Sequence, residues 1–507
     1  MTMRALTVVP AVSVEIDGQD LAAESRRQLH EVAVHQRLSA PAVAELIFAL
    51  DARPALLSDI EVGADCRIRI DDQADALFSG QVTALEYRLS AEGGRLLQVR
   101  AYDRLHALRK RQTVRSFADI TVAELARTLV ADLDLDVDVA DAGPVWNRVA
   151  QFDQSDLELL VEECERCGLA FVLRDRTLRL LTLAGFGDAV PLTPGESLLE
   201  SRLRVNADPA CRSVSATGWD VGRATVDTQQ ASRPRTARDP MAEASPDRLG
   251  GSGARTLLQM LATTPDQLTA AAQAELDQRV AAEASFEGLA AGNIRLHPGV
   301  RLEVRGVPPP FGGPYVLTSV THRVDRRTGF TSELSSAPLA PRARQRPPVV
   351  SYGVVSRIDD PEGLGRVKVS LPPLGELETE WMAVLTAGAG PGKGMVALPD
   401  VGDHVLVVFP HGVPAAGVVL GSLYGPDAPF DTGIEAGQVA RFTLATPGGQ
   451  RAELDDSRRM VRLRTSDGSY VELSPLGLVV YATTDMTISA PGKAITIEAQ
   501  KIDFARR

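Results

Sequence analysis

The stretch that decides the fold runs from Tyr352 to Gly425. It begins Y-G-V-V-S-R-I-D-D-P-E-G-L-G-R-V-K-V-S-L-P-P-L-G (352–375) and passes through a segment containing Trp381. It continues G-A-G-P-G-K-G-M-V-A-L-P-D-V-G-D-H-V-L-V-V-F-P-H-G (388–412) and ends G-V-V-L-G-S-L-Y-G (417–425). Strand-length apolar runs alternate with Gly/Pro turns, the pattern of a small closed barrel.

The chain has 507 residues, enough for about two to four domains with ample cores. Hydrophobic content of 44% and charged content of 24% are ordinary for a soluble globular protein. A formal net charge of -12 argues against a general binder of nucleic acid or anionic membrane, which would need basic patches. No apolar run reaches the roughly 18 to 20 residues of a membrane span. Met1 to Val14 lacks the pattern of a secretory leader. The expectation is therefore synthesis and assembly in the bacterial cytoplasm without a signal peptide.

Upstream of the barrel, residues 1 to about 115 read as mostly β, with alternating segments such as Leu29 to Gln36, Arg67 to Ile70 and Leu96 to Tyr102. The pattern turns helical from Ile120 to Leu133, where Thr121 and Glu124 fit a capping box. It does so again from Ser155 to Cys167, with Ser155 and Glu158 in the same roles. A strand pair, Ala170 to Leu173 and Thr177 to Leu181, follows. Residues 221–256 are rich in Ser, Arg, Asp, Gly and Thr and predict a mobile surface loop. A helix from Pro265 to Ala284 has Thr264 as its cap. Leu296 to Phe330 predicts three or four strands turning at Gly306, Gly312-Gly313 and Gly329. Residues 337–348 are Pro/Arg-rich and read as a linker. Beyond Ala440, Gly448-Gly449, Asp455-Asp456, Asp467-Gly468 and Pro475-Leu476-Gly477 separate short alternating strands. Ile488, Ile495 and Ile502 then recur every seventh residue. Strands this short cannot bury an apolar edge alone, but stacked in a prism wound from several chains they can.

No motif points to catalysis. Gly388 to Gly394 fails as a phosphate loop, because Ala387 and Gly394 stand where it needs Gly and Ser/Thr. Asp359, Asp360 and Glu362 lack the spacing of a calcium loop, and Asp-Pro fits a turn. Cys164 and Cys167 have no second ligand pair for zinc and read as buried thiols at a helix end. His404 and His411 flank one strand and point to opposite faces. Ser252 lacks the strand–turn–helix setting of a nucleophile elbow. Tyr352, Trp381, Phe409 and Tyr424 have few basic residues beside them for stacking single-stranded nucleic acid. The expectation is no catalytic residue, no cofactor and no metal.

The barrel stretch resembles the OB-fold of VgrG-type spike proteins and of contractile phage-tail spikes. Gly363 to Val369 after Asp360-Pro361 matches that family's D-P-x-x-x-G-R-V hallmark. The run from S-F-A-D-I-T-V-A-E-L-A (116–126) to G-L-A-F-V-L-R-D-R-T-L-R-L (168–180), and Leu296 to Phe330, resemble the tail-hub proteins called late-control protein D.

The resemblance implies a mainly β chain with an α+β hub. Residues 1–345 would form two β-barrels with a helical insertion at about 116–170, 346–430 an OB-fold barrel, and 440–507 an intertwined trimeric β-needle. The OB signature falls on Gly353, Asp360, Pro361, Gly365, Arg366, Val367, Pro399, Gly402 and Gly421, with Arg366 on the outward strand face. Ile488, Ile495, Ile497, Ile502 and Phe504 would line the needle or meet its tip protein. The implied function is a homotrimeric spike and hub of a contractile injection system. Its partners would be a hexameric inner tube, baseplate components, a PAAR-repeat tip protein and a cargo effector. It would contact the target membrane only on puncture. A short needle with no appended domain favours a phage-tail-like particle, released or membrane-anchored. The competing readings are a peptidoglycan-hydrolysing hub enzyme and a glycan-binding OB module.

Overall fold

The computed structural model describes residues 9–50, 60–71, 75–91, 94–220, 225–258, 264–339, 349–374, 376–410, 417–424 and 428–505. Most of the linker (340–348), together with His411 and Gly425, lies outside them. The chain divides into two units, Met1–Leu423 and Tyr424–Arg507.

The first unit is organised by an eleven-stranded antiparallel sheet. Its strands follow the spatial order Leu198–Val205, Ala284–Ala291, Gly329–Ser335, Ser319–Asp325, Leu29–Arg37, Val43–Ala49, Arg95–Tyr102, Phe78–Leu89, Asp65–Ile70, Val12–Ile16 and Gln19–Asp20. Period-two patterning puts alternate side chains inside: Ala44, Leu46 and Phe48 on one strand, Cys66, Ile68 and Ile70 on another. The two halves of the sheet meet where Ser319–Asp325 pairs with Leu29–Arg37. They keep separate cores, one around Phe48, Ile68 and Val99, the other around Phe286, Leu302 and Leu317.

Between the halves sits an α/β insertion. Its helices Val122–Val130 and Asp156–Arg166 both carry complete capping boxes, Thr121 with Glu124 and Ser155 with Glu158. Their apolar faces enclose Leu125, Leu129, Leu160 and Cys164 with Phe171 and Leu180. All four cysteines are free and buried. Burial pushes the Cys66 and Cys167 thiols up to about 12, and Cys164 also well above its ordinary value. These thiols stay protonated at neutral pH.

The mobile loop expected at 221–256 is corrected. Thr225–Ala231 pairs with Ser213–Asp220, which also pairs in parallel with Ala254–Leu258. Three arginines pin the segment around these strands. Arg212 reaches the buried Glu283 at 2.5 Å. Arg235 reaches the buried Asp277 at 2.9 Å, Asp141 at 2.6 Å and the Cys167 carbonyl at 2.9 Å. Arg238 donates to the carbonyls of Pro310 and Gly312 and stacks over Tyr315. Composition suggested disorder, but each of these three arginines has a folded partner far away in sequence.

His322 is enclosed in the hub sheet, its ring nitrogens 2.9 Å from Ser332 Oγ and 2.8 Å from the Leu296 carbonyl. Burial lowers its pKa to about 4. Below the ordinary histidine value near 6.5 the unfolded chain takes a proton that the folded hub refuses. The His322 contribution to stability is therefore present above about pH 6.5 and lost progressively towards pH 4. Asp103, pushed up to about 7 by burial, acts in the opposite sense: its preference for the folded state fades as pH rises through 7. A side-chain NMR titration separates the two groups. The expected His322 midpoint is about 4, and a midpoint near 6.5 would show that the ring is hydrated.

Candidate functional site

The barrel foreseen at 346–430 closes within residues 349–423. Its sheet runs Leu377–Glu378, Lys368–Leu371, Val349–Arg357, His404–Phe409, Val418–Leu423, Ala383–Val384. Paired hydrogen bonds between Val367 and Met382, at 3.0 and 2.9 Å, join the start of the Lys368–Leu371 strand to that of Ala383–Val384 and so close the sheet on itself. Val355, Val369, Val407, Phe409 and Val419 fill the interior. The insertion meets the barrel through Arg148, whose guanidinium lies 2.7 Å from Glu380, and through Phe152 against the barrel core.

The signature residues fall into two groups. Gly353, Val367, Gly402 and Gly421 belong to the barrel wall: Gly353 faces Val405, Gly421 faces Leu406, and the Gly402 N–H donates to the Val355 carbonyl at 2.9 Å. Pro399 is buried beside them in sequence, at the end of the long Gly-rich loop. Asp360, Pro361, Gly365 and Arg366 form the turn before the Lys368–Leu371 strand. The Asp360 side chain is 3% exposed and accepts backbone N–H bonds from Glu362, Leu364 and Arg366. Arg366 grips it through Nε at 3.0 Å and Nη2 at 2.7 Å. This clamp holds the Asp360 carboxyl well below the usual carboxylate range. Arg366 therefore folds back across the turn and does not sit on the outward strand face as expected; a bidentate carboxylate outcompetes solvent. Gly365 sits at φ +70°, the left-handed backbone that lets the turn close.

Asp360→Asn removes the charge that Arg366 grips. The expected result is faster amide exchange across Lys368–Leu371, with hub strands unaffected. Unchanged exchange would show that the turn holds without the pair.

The Gly388–Gly394 loop closes on itself through reciprocal Gly390 and Lys393 backbone bonds and leads into no helix. Trp381 lies between Arg357 and Lys368, at 5.5 and 5.6 Å from its ring centre. The sequence had suggested few cations near the barrel's aromatics. Both, however, are already paired, Arg357 with Asp359 and Lys368 with Glu378. A groove of about 840 Å³ on the hub is lined by Glu15, Arg67, Tyr102, His106 and Asp132 among others. Two of its acids are taken up by arginines, Glu15 by Arg69 and Asp132 by Arg111. Among the described residues, no cluster of His, Cys, Asp and Glu could hold a metal ion.

The second unit contains a five-stranded antiparallel meander, Arg441–Ala445, Arg451–Asp455, Met460–Arg464, Tyr470–Ser474 and Gly477–Tyr481. Arg441 anchors its start: the guanidinium binds Asp431 through two bonds of 2.9 Å, and Glu435 and Asp455 crowd the same group. Register assembles one face from two unbroken rows. Phe442, Leu454, Val461, Leu473 and Leu478 lie side by side, as do Leu444, Ala452, Leu463, Val471 and Val480. The opposite face carries Thr443, Glu453, Arg462 and Glu472 in one row, with Arg462 bonded to Glu472. The apolar face is uncovered; Phe442 is 69% and Leu463 58% exposed. The sequence signal was the repeated triplet F-T-L, A-E-L, V-R-L, V-E-L in one phase.

Beyond Tyr481, residues 482–505 form no strand within the chain. Ile488, Ile495, Ile497, Ile502 and Phe504 are exposed and make no common core.

A family model described as the Alg8 N-terminal domain matches residues 8–326, more than half of the chain. The chain belongs to the Alg8 N-terminal domain family. In this Alg8-type chain the match spans the hub and insertion, and a second model covers the barrel: residues 351–424 match the type VI secretion system/phage-baseplate injector OB domain. No curated protein matches the sequence. Among solved structures, the Alg8-type chain resembles an E. coli protein, c3393, described as a component of the type VI secretion system similar to phage T4 tail proteins gp27 and gp5. The identity is 16%, over 81% of this chain and 99% of that one, with a TM-score of 0.51. It also resembles a chain of the Francisella PdpA-VgrG complex in its half-lidded form, at 9% identity over 94% of this chain and 88% of that one, with a TM-score of 0.56. The lidless form gives 8% identity, 94% and 99% coverage, and a TM-score of 0.55. The Alg8-type chain thus has the fold of VgrG-like spike proteins and carries an injector OB domain.

Proposed function

We propose that this chain is the spike and hub subunit of a contractile injection system. The carrying observation is the order of parts: a fold shared with VgrG-like spike proteins, an injector OB barrel and a C-terminal meander with an uncovered apolar face. Three copies assemble around that face. Two related half-hubs per chain then give a trimer six similar surfaces to offer a hexameric tube. The needle end receives a small tip protein of the PAAR-repeat kind, and a cargo effector rides with the assembly. The chain is made in the bacterial cytoplasm and meets a target membrane only on puncture. The part is mechanical. Hydrolysis of peptidoglycan would need paired carboxylates free in a cleft, whereas of the four acids lining the hub groove (Glu15, Asp65, Asp103 and Asp132) Glu15 and Asp132 are bound by arginines and Asp103 accepts the backbone N–H bonds of Ala42 and Leu105.

The test is complementation of a deletion strain. Full-length chain should restore particles that deliver a reporter into target cells, and a chain ending at residue 439 should not. Delivery by the shortened chain would remove the needle from the mechanism.

A further inference from the structure

We infer that the groove on the hub binds an acidic peptide segment through Arg67 and Lys110. Its volume of about 840 Å³ falls within the roughly 300 to 1,000 Å³ of ligand pockets. The floor is the outer face of the large sheet, because Cys66 and Ile68 alternate with Asp65 and Arg67 and point into the core. Register sets two polar rows there. Glu15, Arg67 and Ser79 lie side by side across three strands, and so do Asp65, Gln81 and Tyr102. The other wall comes from the helix His106–Lys110, with Arg111 and the turn at Asp132 and Leu133.

Counting which groups the fold has used selects the ligand. Three of the four acids are satisfied: Glu15 by Arg69, Asp132 by two bonds from Arg111, and Asp103 by the N–H groups of Ala42 and Leu105. Arg104 donates to the Leu133 carbonyl at 3.1 Å. Arg67 on the floor and Lys110 on the wall are exposed and have no ion-pair partner among the described residues. Asp65 is the one acid left to oppose them. Ser79 and Gln81 beside Arg67 likewise make no side-chain bond among the described residues. Two free cations with free hydroxyl and amide groups between them match carboxylates joined by peptide bonds. A base or sugar ring would need a stacking face. Tyr102 is already stacked on His106, at 4.7 Å between ring centres, with the Arg109 guanidinium over its ring at 5.3 Å. The chain carries a net charge of -12, so it repels an acidic peptide everywhere except at such a local site.

The test is fluorescence anisotropy of labelled hexaglutamate with the full chain at low salt. The expected result is one peptide bound per chain, with affinity falling as salt is added. Arg67→Glu and Lys110→Glu should each weaken binding by at least about tenfold, the scale of a lost charge-assisted hydrogen bond. Asp65→Asn should tighten it, and Lys393→Glu, in the exposed loop of the barrel, should leave it unchanged. Arg67 and Lys110 are exposed, so both variants should keep the wild-type thermal midpoint, and Arg67→Lys should retain most of the binding. Absence of binding to wild type, or binding that both glutamate variants preserve, would overturn the assignment. So would a labelled oligothymidylate that binds as tightly as hexaglutamate and is lost in the same two variants, because the site would then read phosphate.

Discussion

Replacing Gly353 with valine is expected to open the OB barrel. Gly353 lies mid-strand, between Lys368–Leu371 on one side and His404–Phe409 on the other. A Cβ there would stand 2.2 Å from Val369 Cγ1 and 2.9 Å from the Ser370 carbonyl oxygen. Val369 is wholly buried, and the Ser370 oxygen is backbone, so neither can step aside cheaply. Valine adds two further carbons. Overpacking a tight core typically costs 1 to 3 kcal/mol, and with a backbone clash the expected loss is about 3 kcal/mol or more. Hydrogen exchange followed by mass spectrometry should show deprotection of Val349–Arg357 and His404–Phe409. Protection equal to wild type would mean that the strands can separate to admit the side chain.

Asp277→Ala should destabilise the hub by about 3 kcal/mol, because removing one partner of a buried pair strands the other. Asp277 is fully buried on the Pro265–Ala281 helix. It accepts the Arg235 N–H at 2.6 Å, the Arg235 Nε at 2.9 Å and the Gln273 amide at 2.7 Å. Arg235 also holds Asp141 and the Cys167 carbonyl, so this one clamp joins the segment after Thr225–Ala231 to both the helix and the insertion. Urea unfolding should show a lower midpoint, and the segment around Arg235 should lose exchange protection first. An unfolding free energy within about 0.5 kcal/mol of wild type, the range of ordinary surface changes, would show that Asp141 and the Cys167 carbonyl suffice.

Local signals in the sequence carried far. The Thr121/Glu124 and Ser155/Glu158 pairs placed two helix starts, because a capping box is written within four residues. The barrel's alternation and its Asp360-Pro361 turn were equally local. Pairing across long separations was not legible. Nothing in V-A-V-H near residue 33 announces that it lies against Thr321 and His322 and fuses two half-hubs into one sheet. The 221–256 segment misled for the same reason, since Arg235 needs Asp277 before its charge makes structural sense. Arg366 misled through chemistry: the resemblance implied an outward strand position, but the turn's carboxylate captured it. The alternation beyond Ala440 was legible, but the resemblance implied strands intertwined between chains over 440–507, whereas Arg441–Tyr481 pairs strand by strand within its own chain; local alternation does not say which chain supplies the neighbouring strand. The tail from Met486 to Phe504 stays without a ladder in a single chain.

The account turns on self-association through the C-terminal unit. The most direct measurement is the absolute mass of the purified full chain by static light scattering at micromolar concentration, beside a chain ending at residue 439. The account predicts three times the 54.2 kDa chain mass for the full chain, and single chains for the shortened one. A full chain of 54.2 kDa at every concentration would contradict it.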